Sequence, residues 1–340
     1  MKISSQYIDK EIFGILSGDS EISLHSQFEN SLNLKLNGII LNIGTNLNIL
    51  PPYGMILSPL DFARLKEELE SKRIHIYYES GSLVINKLKL ELGSAEEYSS
   101  CLEQLEGINI KNSPGDSLGL FPGDGPIHFS VDNVITTLKA SILATGKGNG
   151  WDIPMEDLLL VLKEEGLKEG ASGLFVDENP GKHSHNRGEA ELRKTEESKP
   201  LSKLQELQKS IKSRDPIKIK EAARYFLGRG KGLTPAGDDF IVGILAVFHA
   251  CSSHEEFTKT VQNLLEEKPG YYTNDISEQF VIQGTRGRFS RNIIELISMI
   301  HRQEYDSKTV TNLIGYGNTS GIDTVMGIIF AYTIIQQEKK

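Results

Sequence analysis

One motif appears twice in this chain. Gly228–Ile244 reads G-R-G-K-G-L-T-P-A-G-D-D-F-I-V-G-I, and Gly315–Ile328 reads G-Y-G-N-T-S-G-I-D-T-V-M-G-I. With two short gaps the copies superpose. Each has a Gly-x-Gly turn, a Thr, a Gly two residues before an Asp, a Gly four residues after that Asp, and an Ile. A segment that reads as helix precedes each turn and another follows it. The fold must therefore accommodate one helix–glycine turn–helix unit used twice, which is too few copies for a solenoid.

The helices behind the turns are apolar on nearly every face, F-I-V-G-I-L-A-V-F in one copy and V-M-G-I-I-F-A-Y in the other. Helices of that kind are buried. Gly243 shares a helix face with Asp239, and Gly327 with Asp323, because residues four apart are neighbours on a helix. Glycine permits close approach, so the two helices are expected to cross near Gly243 and Gly327. Asp239 and Asp323 should then face one cavity. The plainer reading of Asp238, Asp239 and Asp323 is that they complement the helix dipole. A buried helix end, however, leaves a carboxylate in need of a partner.

Successive glycines let amide hydrogens converge, and a helix start adds free donors and partial positive charge, so each turn suits a small anion. Gly230, Lys231, Gly232 and Thr234 are the candidate binding residues in the first copy. Gly317, Asn318, Thr319 and Ser320 are those in the second. Thr234 is expected to cap its helix, with Pro235 at the first helical position. Asp238, Asp239 and Asp323 are the candidate reacting groups, and Asp239 and Asp323 are the candidate ligands if Mg²⁺ is the cofactor. Arg286 and Arg288, in T-R-G-R-F-S-R between the copies, suit bidentate carboxylate or phosphate recognition, or else form a solvated basic turn. The spacing matches neither a Walker loop nor a dinucleotide fingerprint.

The rest of the chain frames these units. The expected fold class is α+β, with a β-rich barrel or sandwich at 1–93 followed by a mainly helical domain at 94–337. In the first part Ile22–Leu36, Gly38–Ile43 and Ile74–Tyr78 read as strands, and Ser82–Ile85 with Lys87–Leu92 as a hairpin about Asn86. Ser58 caps one helix there, with Pro59 at its first position. Ser94-Ala95-Glu96-Glu97 is a capping-box pattern that opens a helix to about Glu106. Further helices are expected at Ser130–Thr145, Pro154–Glu165, Asp215–Gly228, Ile276–Gln283, Phe289–Arg302 and Lys308–Ile314. Leu201–Ile211 reads as an exposed helix and 177–200 as a polar mobile segment. Ser113–His128 reads as a lid or an ordinary surface loop, His183 and His185 as solvated, Trp151 as a core anchor and Cys251 as a buried thiol.

Several function classes fall away. The formal net charge of −9 argues against a general nucleic-acid binder. The apolar runs fall short of the ~20 residues that span a bilayer. Two cysteines make no disulfide framework. A cytoplasmic protein with no nucleic-acid or membrane partner is the expectation.

At G-x-G-L-T-P-A-G-D-D and G-N-T-S-G-I-D the chain resembles the AllH-type family. In this family G-L-T-P-x-G-D-D and a later G-H-[ST]-S-G-x-D are the signature stretches. Asn318 stands where a His is common, and Ile322 where a Trp is common. The resemblance is strong over Phe226–Ile244 and good from Asn274 to Ile329, and it leaves 177–215 unplaced. It implies a subunit of oxamate carbamoyltransferase, working beside an FdrA-type chain and another subunit in allantoin and purine breakdown. The implied reaction moves a carbamoyl group between oxalurate and phosphate, giving oxamate and carbamoyl phosphate. Two alternatives stay open: a stand-alone Mg²⁺-dependent ligase or carboxylase, and a non-catalytic assembly subunit that binds the metabolite.

Overall fold

The computed structural model describes residues 1–70, 73–103, 131–146, 148–150, 201–230, 232–302 and 304–338. The expectations for 113–128, 154–165, 177–200, Trp151, His183, His185 and Lys231 lie outside them.

The chain is α+β. Strands β1 (Lys2–Asp9), β2 (Ile22–Gln27), β3 (Ser31–Leu36), β4 (Ile39–Gly44), β5 (Gly54–Leu57), β6 (Ile76–Glu79), β7 (Ser82–Ile85) and β8 (Leu88–Glu91) form one sheet. Their order is β2-β3-β4-β5-β1-β8-β7-β6, and β9 (Glu96–Tyr98) pairs with β1. The outer strands β2 and β6 approach each other, so the sheet nearly closes into a barrel. The turns Asn37-Gly38 and Ser80-Gly81 hold positive φ at both positions, matching the right-handed twist of the strands they join. The alternation in L-N-L-K-L points Leu32, Leu34 and Leu36 into the barrel core with Leu41, Ile43 and Met55. It points Ser31, Asn33 and Lys35 outward. Helix α1 (Pro59–Leu69) starts as expected, with the Asp61 amide donating to Ser58 Oγ at 3.1 Å.

The alternating stretches of residues 22–36 are two antiparallel strands, because the chain reverses after Gln27. The strands β1 and β5 carry no local signal, since the polar run K-I-S-S-Q-Y-I-D becomes a central strand only through its partners β5 and β8. The capping-box pattern at Ser94 opens no helix. Residues 96–98 extend along β1 instead, and the Phe289 amide then reaches the Ser100 carbonyl at 2.8 Å.

The helical part contains α2 (Val131–Ala144), α3 (201–213), α4 (Pro216–Phe226), α5 (Ala236–Ala250), α6 (Glu255–Glu267), α7 (Asp275–Thr285), α8 (Arg291–Arg302), α9 (Ser307–Ile314) and α10 (Ser320–Glu338). Asp215, Asn274 and Asp306 cap α4, α7 and α9 through their side chains. Helix α3 is not exposed: Leu204, Leu207 and Ile211 bury one face in the core. Helix α6 was not anticipated. Cys251 is half-buried rather than buried. The apolar core of this part, built around α5 and α10, is separate from that of the barrel.

The two parts are tied directly. Gln279 on α7 both donates to and accepts from the backbone of Ile40. Arg288 donates to Glu11 at 2.7 Å and to the Tyr53 hydroxyl at 2.8 Å. These ties hold the outer face of β3 and β4 against the helices.

Candidate functional site

The repeat is real in three dimensions, and its glycines do matched work. Gly237 and Gly321 are both the second residue of their helices. A Cβ on either would strike the carbonyl of the preceding helix, at Phe226 and at Leu313 respectively. Their amides donate back into the turns, Gly237 to the Arg229 carbonyl at 2.8 Å and Gly321 to the Tyr316 carbonyl at 3.0 Å. Helices α5 and α10 cross where expected. A Cβ on Gly243 would meet backbone atoms of Thr324 and Ile328 and lie 3.1 Å from the Gly327 Cα, and one on Gly327 would strike the Phe240 carbonyl. Asp239 and Asp323 are both the fourth residue of their helices, so the crossing brings their two N-termini to one place.

The two carboxylates sense each other there. Asp239 faces the hydroxyls of Ser320 and Thr234. Asp323 accepts from the Gly150 amide at 3.1 Å and from the Thr319 hydroxyl. The Oδ2 atom of each is enclosed and has no hydrogen-bond partner among the described residues. Burial pushes the Asp323 carboxyl up to about 6. Burial also drives Asp239 well above the usual carboxylate range, with the Asp323 and Asp238 charges adding to the shift. Two carboxylates that interact in this way titrate as a pair.

A cavity of about 560 Å³ opens beside them. One wall is the glycine turns, through Gly232, Leu233, Thr234, Gly317, Asn318, Thr319 and Ser320, and the other is the barrel, through Ser31, Asn33 and Asn42. Asn149, Gly150, Gln279 and Tyr316 also line it. Its volume lies in the range of small-molecule sites. The amides of Asn318, Thr319 and Ser320 have no backbone acceptor among the described residues, so they are open donors at the start of α10. Thr234 is not a helix cap. Pro235 occupies that place, and the Thr234 hydroxyl pairs with Ser320 at 2.9 Å, which links the two copies across the site. Behind them a small cavity of about 40 Å³ touches Asp239, Thr234, Tyr316 and Arg288. Burial, with the Asp239 charge adding to it, raises the Tyr316 hydroxyl to about 12.

The candidate residues therefore separate. Asp239, Asp323, Thr234, Gly232, Gly317, Asn318, Thr319 and Ser320 come together. Asp238 turns away from the cavity and accepts from the Gly228 amide at 2.8 Å, from Ser277 at 2.7 Å and from Thr273, tying the first turn to α7. Gly230 holds φ +119 against Ala236 and shapes the turn without lining the cavity. Arg286 is paired with Glu266 on the surface. Arg288 spends its guanidinium on Glu11 and Tyr53. For Mg²⁺, Asp239 and Asp323 are the available pair, and among the described residues no group of three or more His, Cys, Asp or Glu gathers around an ion. Sequence reasoning missed Asn33, Asn42, Asn149, Gly150, Gln279 and Tyr316. The two strand asparagines were visible as polar residues inside L-N-L and L-N-I, but only the docking of the barrel brings them to the cavity.

These features define an α+β protein whose cleft lies between a barrel wall and two converging helix N-termini, with the buried carboxylates of Asp239 and Asp323 behind the Thr234, Thr319 and Ser320 side chains that line it. Residues 226–332 match the family model described as oxamate carbamoyltransferase subunit AllH. That stretch, which holds both glycine units, is what the chain shares with the AllH family. No solved structure matches the chain. Among the described residues no helix is long and apolar enough to cross a membrane.

Proposed function

We propose that the chain is the subunit of a carbamoyltransferase complex that binds a small anionic amide, oxamate or oxalurate, in the cleft between the barrel and the paired glycine turns. The observation that carries this reading is the carboxylate pair Asp239–Asp323, both raised by burial, behind the Thr234, Thr319 and Ser320 residues of a cavity that the start of α10 lines. The open amides of Asn318, Thr319 and Ser320 suit the substrate carboxylate, or phosphate as the second reactant. The Asp323 carboxylate suits an amide N–H, and burial favours the protonated, donating form of Asp239.

In the implied reaction a phosphate oxygen bonds to the carbamoyl carbon of oxalurate. The bond from that carbon to the oxamate nitrogen breaks, and the nitrogen takes up a proton. Asp239 is the group placed to supply that proton. Tightly held donors aimed at the carbonyl oxygen carry most of the stabilisation in such transfers, and the turn amides fill that role. The division into a barrel domain at 1–93 and a helical domain at 94–337, and assembly with an FdrA-type chain in purine catabolism, belong to the same reading.

Isothermal titration of oxamate and of phosphate tests it, using the wild-type chain, Asp239→Asn and Asp323→Asn. Binding to wild type with a loss of tenfold or more in either variant is expected, each variant remaining folded. Undiminished binding in both would make the aspartates simple dipole partners.

A further inference from the structure

A line of polar side chains crosses the outer face of the barrel and ends in the cavity. Ser26 stands opposite Asn33 in the β2–β3 pairing, and Asn33 stands opposite Asn42 in the β3–β4 pairing. His25 continues the line to Asp275 at the start of α7. The links are short: Asp275 Oδ2 to His25 Nε2 is 2.9 Å, His25 Nδ1 to Ser26 Oγ 3.0 Å, Ser26 Oγ to Asn33 Nδ2 2.9 Å, and Asn33 Oδ1 to Asn42 Nδ2 2.9 Å.

The hydrogen-bond valences give this line one direction. Asp275 also accepts from Lys35 at 3.4 Å, and His25 and Lys35 hold its carboxyl below the usual range despite some burial, so it only accepts. His25 Nε2 must then donate to it. Nδ1 of the same ring meets the Ser26 hydroxyl. The Ser26 oxygen in turn accepts from the Asn33 amide nitrogen. The Asn33 carbonyl oxygen is left to accept from the Asn42 amide nitrogen. What remains of Asn42, which lines the cavity, is Oδ1, an acceptor to which no described residue donates, beside the second N–H of its amide nitrogen.

We propose that Asn42, oriented through Asn33 and anchored by the His25–Asp275 pair, is the specificity-determining acceptor for the substrate amide N–H. The inference rests on the function proposed above and extends it to the barrel, which lies outside the segment matched to the AllH family. The helix side of the cleft supplies donors for the anionic end of the ligand, and the barrel side supplies an oriented acceptor for the nitrogen end. A site built to satisfy an N–H discriminates against an isostere that lacks it, because the acceptor is then left dry.

Oxamate and pyruvate are the test pair, being isosteric with NH₂ in one and CH₃ in the other. Wild-type chain should bind oxamate roughly tenfold more tightly than pyruvate by isothermal titration, the worth of one hydrogen bond. In Asn42→Leu the ratio should fall to about one through loss of oxamate affinity, with pyruvate little changed. Asn42→Ala gives the same readout if leucine is not accommodated in the strand. A ratio retained in the variants, or an equal loss for both ligands, overturns the inference and leaves the proposed function standing. Binding of neither ligand to wild type overturns the proposed function and takes the inference with it.

Discussion

Alanine at Gly243 tests the helix crossing on which the site depends. A Cβ there would fall inside contact distance of the Thr324 carbonyl, 2.9 Å from the Ile328 amide nitrogen and 3.1 Å from the Gly327 Cα. All three neighbours are backbone atoms, so no side chain can rotate out of the way. The helices must move apart, and a gap of 0.5–1 Å forfeits roughly a quarter to a half of each contact's attraction along the crossing. Overpacking of this kind costs about 1–3 kcal/mol, and rigid backbone neighbours put Gly243→Ala at or beyond the upper end. The better helix propensity of alanine returns about 1 kcal/mol. A net loss of about 2 kcal/mol follows, or a fall in Tm of about 4–8 °C. Gly284→Ala is the control. It has the same propensity gain, but its Cβ would meet only side-chain atoms of Leu245 and Phe289, at 3.2 Å. It should leave Tm within about 2 °C of wild type. Thermal denaturation followed by circular dichroism gives both values. If Gly243→Ala is as stable as wild type, or Gly284→Ala falls as far, the crossing is not the close backbone contact described.

Two further predictions concern the aspartates. The Asp323 carboxyl lies at about 6 in the folded chain against an ordinary 3.8, so the folded form holds the proton more tightly. The stability this gives is complete below pH 3.8 and is lost as pH rises to about 6. Asp323→Asn removes that loss. Its stability relative to wild type should therefore climb across this window by on the order of 3 kcal/mol and then level off. Urea denaturation at pH 4 to 8 reads the difference, and a flat difference would refute the raised carboxyl. Asp238→Ala should instead lose stability, about 3 kcal/mol by urea midpoint, because it leaves the Gly228 amide and two hydroxyls without an acceptor. A loss below 1 kcal/mol would show that the tie between the first turn and α7 matters little.

The sequence alone determined the repeated unit and its internal logic. A glycine two residues before an aspartate and another four after it are local spacings, and helical geometry fixes which face each occupies. The Gly243–Gly327 crossing was readable for that reason, as were the starts at Ser58 and Asp215. The spacing to Gly243 singled out Asp239, but local pattern left Asp238 beside it as a candidate reacting group. The two are adjacent in sequence and equal in type, and only the packing of α7 commits the first to Thr273 and Ser277. Nor could it see β1, whose polar sequence becomes a strand through partners about fifty and ninety residues away. The tertiary structure also decided that Thr234 pairs with Ser320 instead of capping its helix, and that Arg288 belongs to Glu11. Above all it placed Asn33 and Asn42 opposite the glycine turns. Hydrogen bonds between segments more than 200 residues apart, such as Ile40 with Gln279, hold that wall in position. Periodicity along the chain carries no information about which surfaces meet across such a distance.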